Sequence, residues 1–353
     1  MSRFGEAVAV RAGEELDWSR LRDHLSVELS LPGELAVRQF PNGAANLTYL
    51  LRLGDRELVF RRPPFGVLAP GAHDMGREFR VLSRLWRAYP RAPRALLFCD
   101  DESIVGSPFL VSEYRVGQMV WSELPAAWAG IPDAGRLVGF AAVDALADLS
   151  QVDPAACDLA GLGRPDGFLR RQVEGWTDRW QRVAAADADE VMTAVAALLA
   201  ERLPQPQRVS ILHNDYKIDN CQFPPDDPSR VSAVFDWDMA TLGDPLVDLG
   251  ILLNYWPDPS DRPDDHALAY PGLETIGLPT RAEVARRYAE RTGMSLETLG
   301  WYEAFASWKT AVVREQLHHR YRRGESTDPR MARLHDNVVM LARRARRILE
   351  ESR

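Results

Sequence analysis

The sequence predicts an α+β protein in two lobes: a small N-terminal lobe with an antiparallel sheet plus a helix, and a larger, mostly helical C-terminal lobe. Three observations carry that prediction. Short apolar runs broken by turn residues fill the first third of the 353-residue chain, helical periodicity dominates the rest, and the change falls near Arg115-Val116-Gly117. The expected domains are therefore residues 1–115 and 116–353.

Taken in order, residues 16–29 form an amphipathic segment, followed by apolar runs at 34–40, 46–53 and 57–60. Pro41-Asn42-Gly43 and Gly54-Asp55 punctuate those runs, which is the signature of an antiparallel meander. Met75, Phe79, Leu82 and Trp86 recur at helical spacing and predict a helix over 75–86 with one face on the sheet. Two further strands are expected at 95–99 and 109–114. Residues 121–203 read as mostly helical, with one stripe through Val138, Ala141, Ala142, Ala145 and Leu149 and an alanine-rich run at 191–203. Strand-like pieces at 209–212 and 231–235 bracket a proline-rich turn, and residues 281–352 are again helical, broken at Gly324 and Pro329.

Composition narrows the function. The net charge of −8 argues against a nucleic-acid partner, because phosphate binding draws on a basic face. Cys99, Cys157 and Cys221 are too few and too unpatterned for a disulfide framework or a cysteine zinc site. No stretch has the length of a signal-peptide core or a membrane span, so a soluble cytoplasmic protein without membrane partners is expected. Only two of the 43 basic residues are lysines, Lys217 and Lys309. Nothing before position 217 can supply a side-chain amine.

The chemistry concentrates in His213-Asn214-Asp215-Tyr216-Lys217-Ile218-Asp219-Asn220, followed by Asp236-Trp237-Asp238. Asp215 and Asn220 stand five residues apart in a polar loop after an apolar strand, so a carboxylate can face a reacting hydroxyl while an amide oxygen faces a metal. Asp236, at the end of the next strand, can meet the same metal. Magnesium is a hard cation that takes oxygen ligands of this kind together with substrate phosphates. The pattern outlines phosphoryl transfer.

H-N-D-x-x-x-x-N with a downstream D-W-D-x-A-x-x-G-D-P-x-x-D-L resembles the aminoglycoside phosphotransferase and choline kinase-like family, relatives of the protein kinases with a two-lobed protein-kinase-like fold. Asn214 in place of arginine and Trp237 in place of phenylalanine set the chain apart from protein kinases. The resemblance implies an ATP- and magnesium-dependent enzyme that phosphorylates a hydroxyl of a small molecule. Within it Asp215 is the base, and Asn220 and Asp236 are the metal ligands. The residues around Gly43 and Asn46 correspond to the phosphate-covering loop, and Glu113-Tyr114 to the adenine-binding hinge. The strand that usually ends in a phosphate-clamping lysine ends here in Arg61, with Glu78 on the next helix as its partner.

Arg61-Arg62-Pro63-Pro64 and Ala72-His73-Asp74-Met75-Gly76-Arg77-Glu78-Phe79 further resemble the branch whose members include domains fused to acyl-CoA dehydrogenases, which implies a hydroxyacyl-CoA-like acceptor. Several neighbouring residues have plainer readings. His213 is a scaffold, Asp244 a helix cap before Pro245, and Asp248 a structural partner of the loop. Asp238 is either a second metal-side carboxylate or structural, and Lys217 either meets an anion or is a solvated loop residue. The acidic residues Asp258, Asp261, Asp264 and Asp265 are either a solvated loop or a greeting for a polycationic aminoglycoside. Three competing functions remain: a pseudokinase-like module that binds nucleotide or acyl-CoA, motivated by the absent lysine, an aminoglycoside kinase, and a metal-dependent phosphohydrolase using the same carboxylates, which the Asp215/Asn220 spacing fits less well.

Overall fold

Turn residues and alternating apolar runs build the first sheet. A computed structural model of the chain describes residues 7–41, 46–65, 74–185, 189–262, 271–326 and 328–352. They divide into two compact units. The first comprises Met1–Gln118 with Ala155–Leu159 and Ser232–Ala240, and the second comprises the remainder.

In the first unit, helix α1 (Trp18–Glu28) starts at Asp17, whose carboxylate accepts the Arg20 N–H. Strands β1 (Leu35–Gln39), β2 (Leu47–Leu53) and β3 (Arg56–Arg62) follow as the meander predicts. Helix α2 (Met75–Leu85), strand β4 (Ala95–Cys99), the single turn α3 (Glu102–Val105) and strand β5 (Phe109–Glu113) complete the set. The sheet order is β1-β2-β3-β5-β4, all antiparallel, so β5 inserts between β3 and β4. Its core joins Leu21 and Leu25 of α1 to Tyr49, Leu51, Phe60, Phe109 and Val111. Burying a Leu- or Phe-sized side chain contributes roughly 1.5–3 kcal/mol, so this cluster is the main stabilising term here. Helix α2 packs on β4 and β5.

β6 (Gln118–Met119) closes the first long segment. The second unit holds α4 (Ala134–Ser150), α5 (Phe168–Val183), α6 (Val191–Glu201), β7 (Ser210–Leu212) and β8 (Cys221–Phe223). The two-residue strand β9 (Ala233–Val234) belongs to the first unit, and β10 (Thr241–Gly243) returns to the second, pairing antiparallel with β7. Helices α7 (Leu246–Asn254), α8 (Arg281–Thr292), α9 (Leu299–Arg322) and α10 (Val338–Glu351) finish the unit, with a 3₁₀ stretch over Pro329–Asn337. Helix α8 opens on a capping box between Thr280 and Glu283 and ends at Gly293. Where α7 crosses α9, Gly250 is required: a Cβ there would stand 2.6 Å from the Tyr302 carbonyl oxygen.

Cys99, Cys157 and Cys221 are all buried and unbridged. Among the described residues no helix is long and apolar enough to cross a membrane.

Candidate functional site

In the first unit, strand alternation sends Arg61 and Arg62 to opposite faces of β3. Arg62 is buried and donates to the carbonyls of Pro63 and Val105, a structural role. Arg61, opposite Thr48 on β2 and Leu110 on β5, donates through Nη1 to Glu78 and through Nη2 to Asp236 Oδ1 at 2.8 Å. Glu78 is 1% exposed and lies within the buried stripe Met75, Glu78, Leu82 and Leu85, so α2 presents a carboxylate where its pattern otherwise presents hydrocarbon. Burial pushes Arg61 toward neutrality, but Glu78 and Asp236 overcome it and hold the guanidinium more firmly protonated than usual. Asp238 adds to the same field. The Arg61 Nε–H, buried, has no partner among the described residues.

The Asp236 backbone is left-handed at φ +70°, a region that aspartate and asparagine tolerate better than most residues. Trp237 anchors this turn: it is fully buried, donates Nε1–H to the Val234 carbonyl at 2.7 Å, and meets the Tyr89 ring edge-on. Arg77, beside Glu78 on α2, donates to the Ala240 carbonyl at 3.2 Å. One turn of α2 thus holds residue 240 directly and Asp236 through Arg61. Asn46 is buried just before β2, whereas Gly43 and residues 72 and 73 lie outside the described residues. Glu113 donates its N–H to the Arg94 carbonyl, and its carboxylate accepts the Arg94 N–H and pairs with Arg115; Tyr114 follows directly.

In the second unit, the loop after β7 is held from below. Both oxygens of Asp248, in the first turn of α7, accept loop N–H groups at 2.7 Å, Oδ2 from His213 and Oδ1 from Asn214. Desolvation raises the Asp248 pKa, and His213, the two N–H groups and Lys309 pull it back. Asn214 is left-handed at φ +66°. His213 is buried and its Nδ1 accepts the Asp215 N–H at 3.3 Å, in keeping with a scaffold. Tyr216 is fully buried and donates to the Ala142 carbonyl of α4 at 2.8 Å. Between these anchors the Asp215 side chain stays one-third exposed, and Asn220 Nδ2 donates to the Asp215 carbonyl at 2.8 Å.

Lys217 Nζ stands 3.2 Å from Asp215 Oδ2 and 3.8 Å from Asp219 Oδ2, over the Tyr255 ring. It is therefore tied to the loop and is not the freely solvated residue one reading expected. Asp244 accepts the Leu246 N–H at 2.9 Å, as a cap does, although α7 begins one residue later than expected, with Pro245 outside it. Its other oxygen accepts from Gln207 N–H and Tyr302 O–H. Asp258 and Asp261 are not solvated either. Asp258 accepts the Arg281 N–H, and Asp261 pairs with the Arg281 guanidinium; Asp264 and Asp265 lie outside the described residues.

Two features escaped sequence reasoning. The Arg61–Asp236 pair joins residues 175 apart, with no local signal. Lys309, on α9, reaches Asn214 with Nζ 3.1 Å from both its carbonyl oxygen and its Oδ1. The sequence places Lys309 on a helix packed behind or beside the substrate cleft, but gives no signal for its contact with Asn214.

The two-unit α+β architecture is the protein-kinase-like fold used by small-molecule phosphotransferases. The family model described as phosphotransferase enzyme family (APH) matches residues 36–287. The chain belongs to this family. It is similar to mouse acyl-CoA dehydrogenase family member 10, 31% identical over 296 residues, and to chicken acyl-CoA dehydrogenase family member 11, 32% identical over 303. Each match covers 84% of this chain but only 27% and 38% of the relative's length, so the chain spans about a quarter to two fifths of these proteins. Among solved structures, a candidate aminoglycoside phosphotransferase from Ralstonia eutropha superposes with a TM-score of 0.79 at 26% identity, covering 96% of this chain and 99% of the other. The aminoglycoside phosphotransferase APH(4)-Ia, in a ternary complex with ADP and hygromycin B, matches with a TM-score of 0.58 at 16% identity, covering 94% and 98%, and speaks for the fold alone.

Proposed function

We propose that the chain is an ATP- and magnesium-dependent kinase that moves the γ-phosphoryl group to a hydroxyl of a small molecule. The observation that carries this reading is the Arg61 guanidinium, ion-paired with Glu78 and Asp236, an arginine standing where such a site needs a fixed positive charge. A nucleotide phosphate oxygen is a natural partner for a guanidinium held in this way, whose side chain keeps 14% exposure, because a guanidinium can bond carboxylate and phosphate together through its several N–H groups. The first unit is then the nucleotide-binding domain and the second carries the acceptor chemistry. In the first, Gly43 and Asn46 belong to the phosphate-covering loop, and the Glu113-Tyr114 backbone takes adenine.

Asp215 orients the acceptor hydroxyl and takes its proton as the oxygen attacks phosphorus and ADP leaves. The partly exposed carboxylate on a loop anchored by His213, Tyr216 and Asp248 supports that role, since phosphoryl transfer depends on positioning and electrostatics. Asn220 and Asp236 are the proposed metal ligands, a neutral amide oxygen and a carboxylate, which is the hard-donor chemistry magnesium requires. When bound, magnesium neutralises charge developing on the phosphates. Lys217, bonded to Asp215, supplies positive charge on the acceptor side of the loop.

For the acceptor, kinship with acyl-CoA dehydrogenase family members supports a hydroxyacyl-CoA-like molecule. The commitment of Asp258 and Asp261 to Arg281 removes two of the acidic groups a polycationic aminoglycoside would need. The competing reading, a binding module without turnover, is favoured by arginine at position 61. ADP release by the purified chain against hydroxyacyl-CoAs, aminoglycosides, choline-like alcohols and sugars separates them. Turnover that is highest on hydroxyacyl-CoA supports the proposal; nucleotide binding with no turnover on any acceptor establishes the module.

A further inference from the structure

Lys309 is a buried cation that the chemistry above does not use. It projects from the middle of α9, is 8% exposed, and forms no ion pair within bonding distance among the described residues. Its two hydrogen-bond acceptors both belong to Asn214, the backbone carbonyl oxygen and Oδ1, each at 3.1 Å; the Trp176 ring lies 5.5 Å away. Burying an ammonium against neutral amide oxygens costs several kcal/mol, which an uncharged side chain of the same length would avoid. The residue it clamps is left-handed at φ +66°, a region less populated than the right-handed one even for asparagine, and immediately precedes Asp215.

We infer that Lys309 is a positioning residue: its ammonium holds Asn214 in the left-handed turn that presents Asp215 to the acceptor. The inference rests on the reading of Asp215 as the base. Its reach is mechanical and electrostatic together. The clamp closes the Asn214 carbonyl and side chain onto one donor, so rotating the peptide leading into Asp215 would break a hydrogen bond. The same charge lies in the field of Asp215. Asp215 and Lys217 from the loop, Asp248 from α7 and Arg179 from α5 act on the ammonium through their charges, and the Trp176 ring of α5 lies beside it. Desolvation, the largest influence, brings the Lys309 pKa down to about 8, against the pull of Asp215 and Asp248. The clamp is therefore charged at neutral pH and weakens in mildly alkaline solution, where a neutral amine donates a poorer hydrogen bond.

Because the chain has only two lysines, ¹³C-labelled lysine yields two side-chain signals in an NMR titration, and the Lys217→Arg variant assigns them. One signal is expected to titrate near pH 8 and to move lower still in Asp215→Asn, which removes an anion that favours the ammonium. A midpoint at the ordinary lysine value, unmoved by Asp215→Asn, overturns the contact without reference to catalysis. Turnover supplies the second arm. Lys309→Gln is expected to lower kcat about tenfold or more with the ATP KM within about twofold, as a misplaced base would. Lys309→Arg, charged throughout, is expected to recover part of that loss and to abolish the alkaline limb of kcat near pH 8. Lys309→Met is expected to be at least as stable as the parent. Unchanged kcat in Lys309→Gln, or loss of activity in Lys309→Met matched by loss of stability, overturns the positioning role. A parent chain inactive on every acceptor overturns the kinase reading instead, and the titration still decides the contact.

Discussion

Arg61 in the first unit and Lys309 in the second are both buried cations, and they are satisfied in opposite ways. Arg61 has two carboxylates, and its pKa is driven up; Lys309 has two amide oxygens, and its pKa is driven down to about 8. A guanidinium can bridge two anions and still keep an N–H open, while a lysine concentrates its charge at one point and gives up its proton more readily when desolvated. The first arrangement is a permanently charged cradle. The second is a clamp whose strength depends on pH.

The comparison breaks most visibly at Asp215, toward which the second arrangement works. Asp215→Asn is expected to lower kcat by about 10²- to 10⁴-fold while the melting temperature stays close to the parent's, read by ADP release and thermal unfolding. Retained turnover removes the purpose of the loop. Next in size, Glu78→Ala leaves Arg61 with one carboxylate in a buried site and is expected to cost about 3–5 kcal/mol of stability in urea unfolding. A loss below about 1 kcal/mol would mean that Asp236 alone neutralises Arg61.

Stability against pH separates the two cations directly. The folded pKa of Lys309, about 8, lies below its ordinary value of 10.5, so between these values the unfolded chain binds more protons and stability rises with pH. The gain is lost again as pH falls through 8 and amounts to about 3 kcal/mol across the window. It is read as the difference between the parent and Lys309→Met in urea unfolding at pH 7.5 and 10; Arg61, charged throughout, contributes no such slope. A parallel pH dependence in the two proteins would contradict the clamp. Smallest of all, Arg61→Lys keeps the charge but cannot bridge Glu78 and Asp236 as a fork, and it is expected to raise the ATP Kd about tenfold by calorimetry.

These contrasts also mark what could be read from sequence. Strand periodicity located β1 to β5 within a residue or two, and the spacing Met75, Phe79, Leu82 and Trp86 located α2, because period and punctuation are local signals, although the buried face of α2 runs through Met75, Glu78, Leu82 and Leu85. The insertion of β5 between β3 and β4 was not legible, since pairing order depends on contacts far apart in the chain. Strands β8 and β10, three residues each, are too short to show a period. The Arg61–Glu78 pair was expected from motif position, and the ion pair is present. Arg61–Asp236 and Lys309–Asn214 were not, because each joins segments that only the fold brings together. Asp258 and Asp261 misled for the same reason: a run of acids looks solvated until Arg281 is seen folding back onto it.

The three buried thiols give each unit its own clock. Cys99 and Cys157 lie in the first unit and Cys221 in the second, so none meets an alkylating reagent until its surroundings open. Pulsed alkylation followed by peptide mass spectrometry would therefore time the opening of the two units independently in the unaltered chain, without a label or an engineered residue. Nucleotide added during the pulse would show which clock it slows.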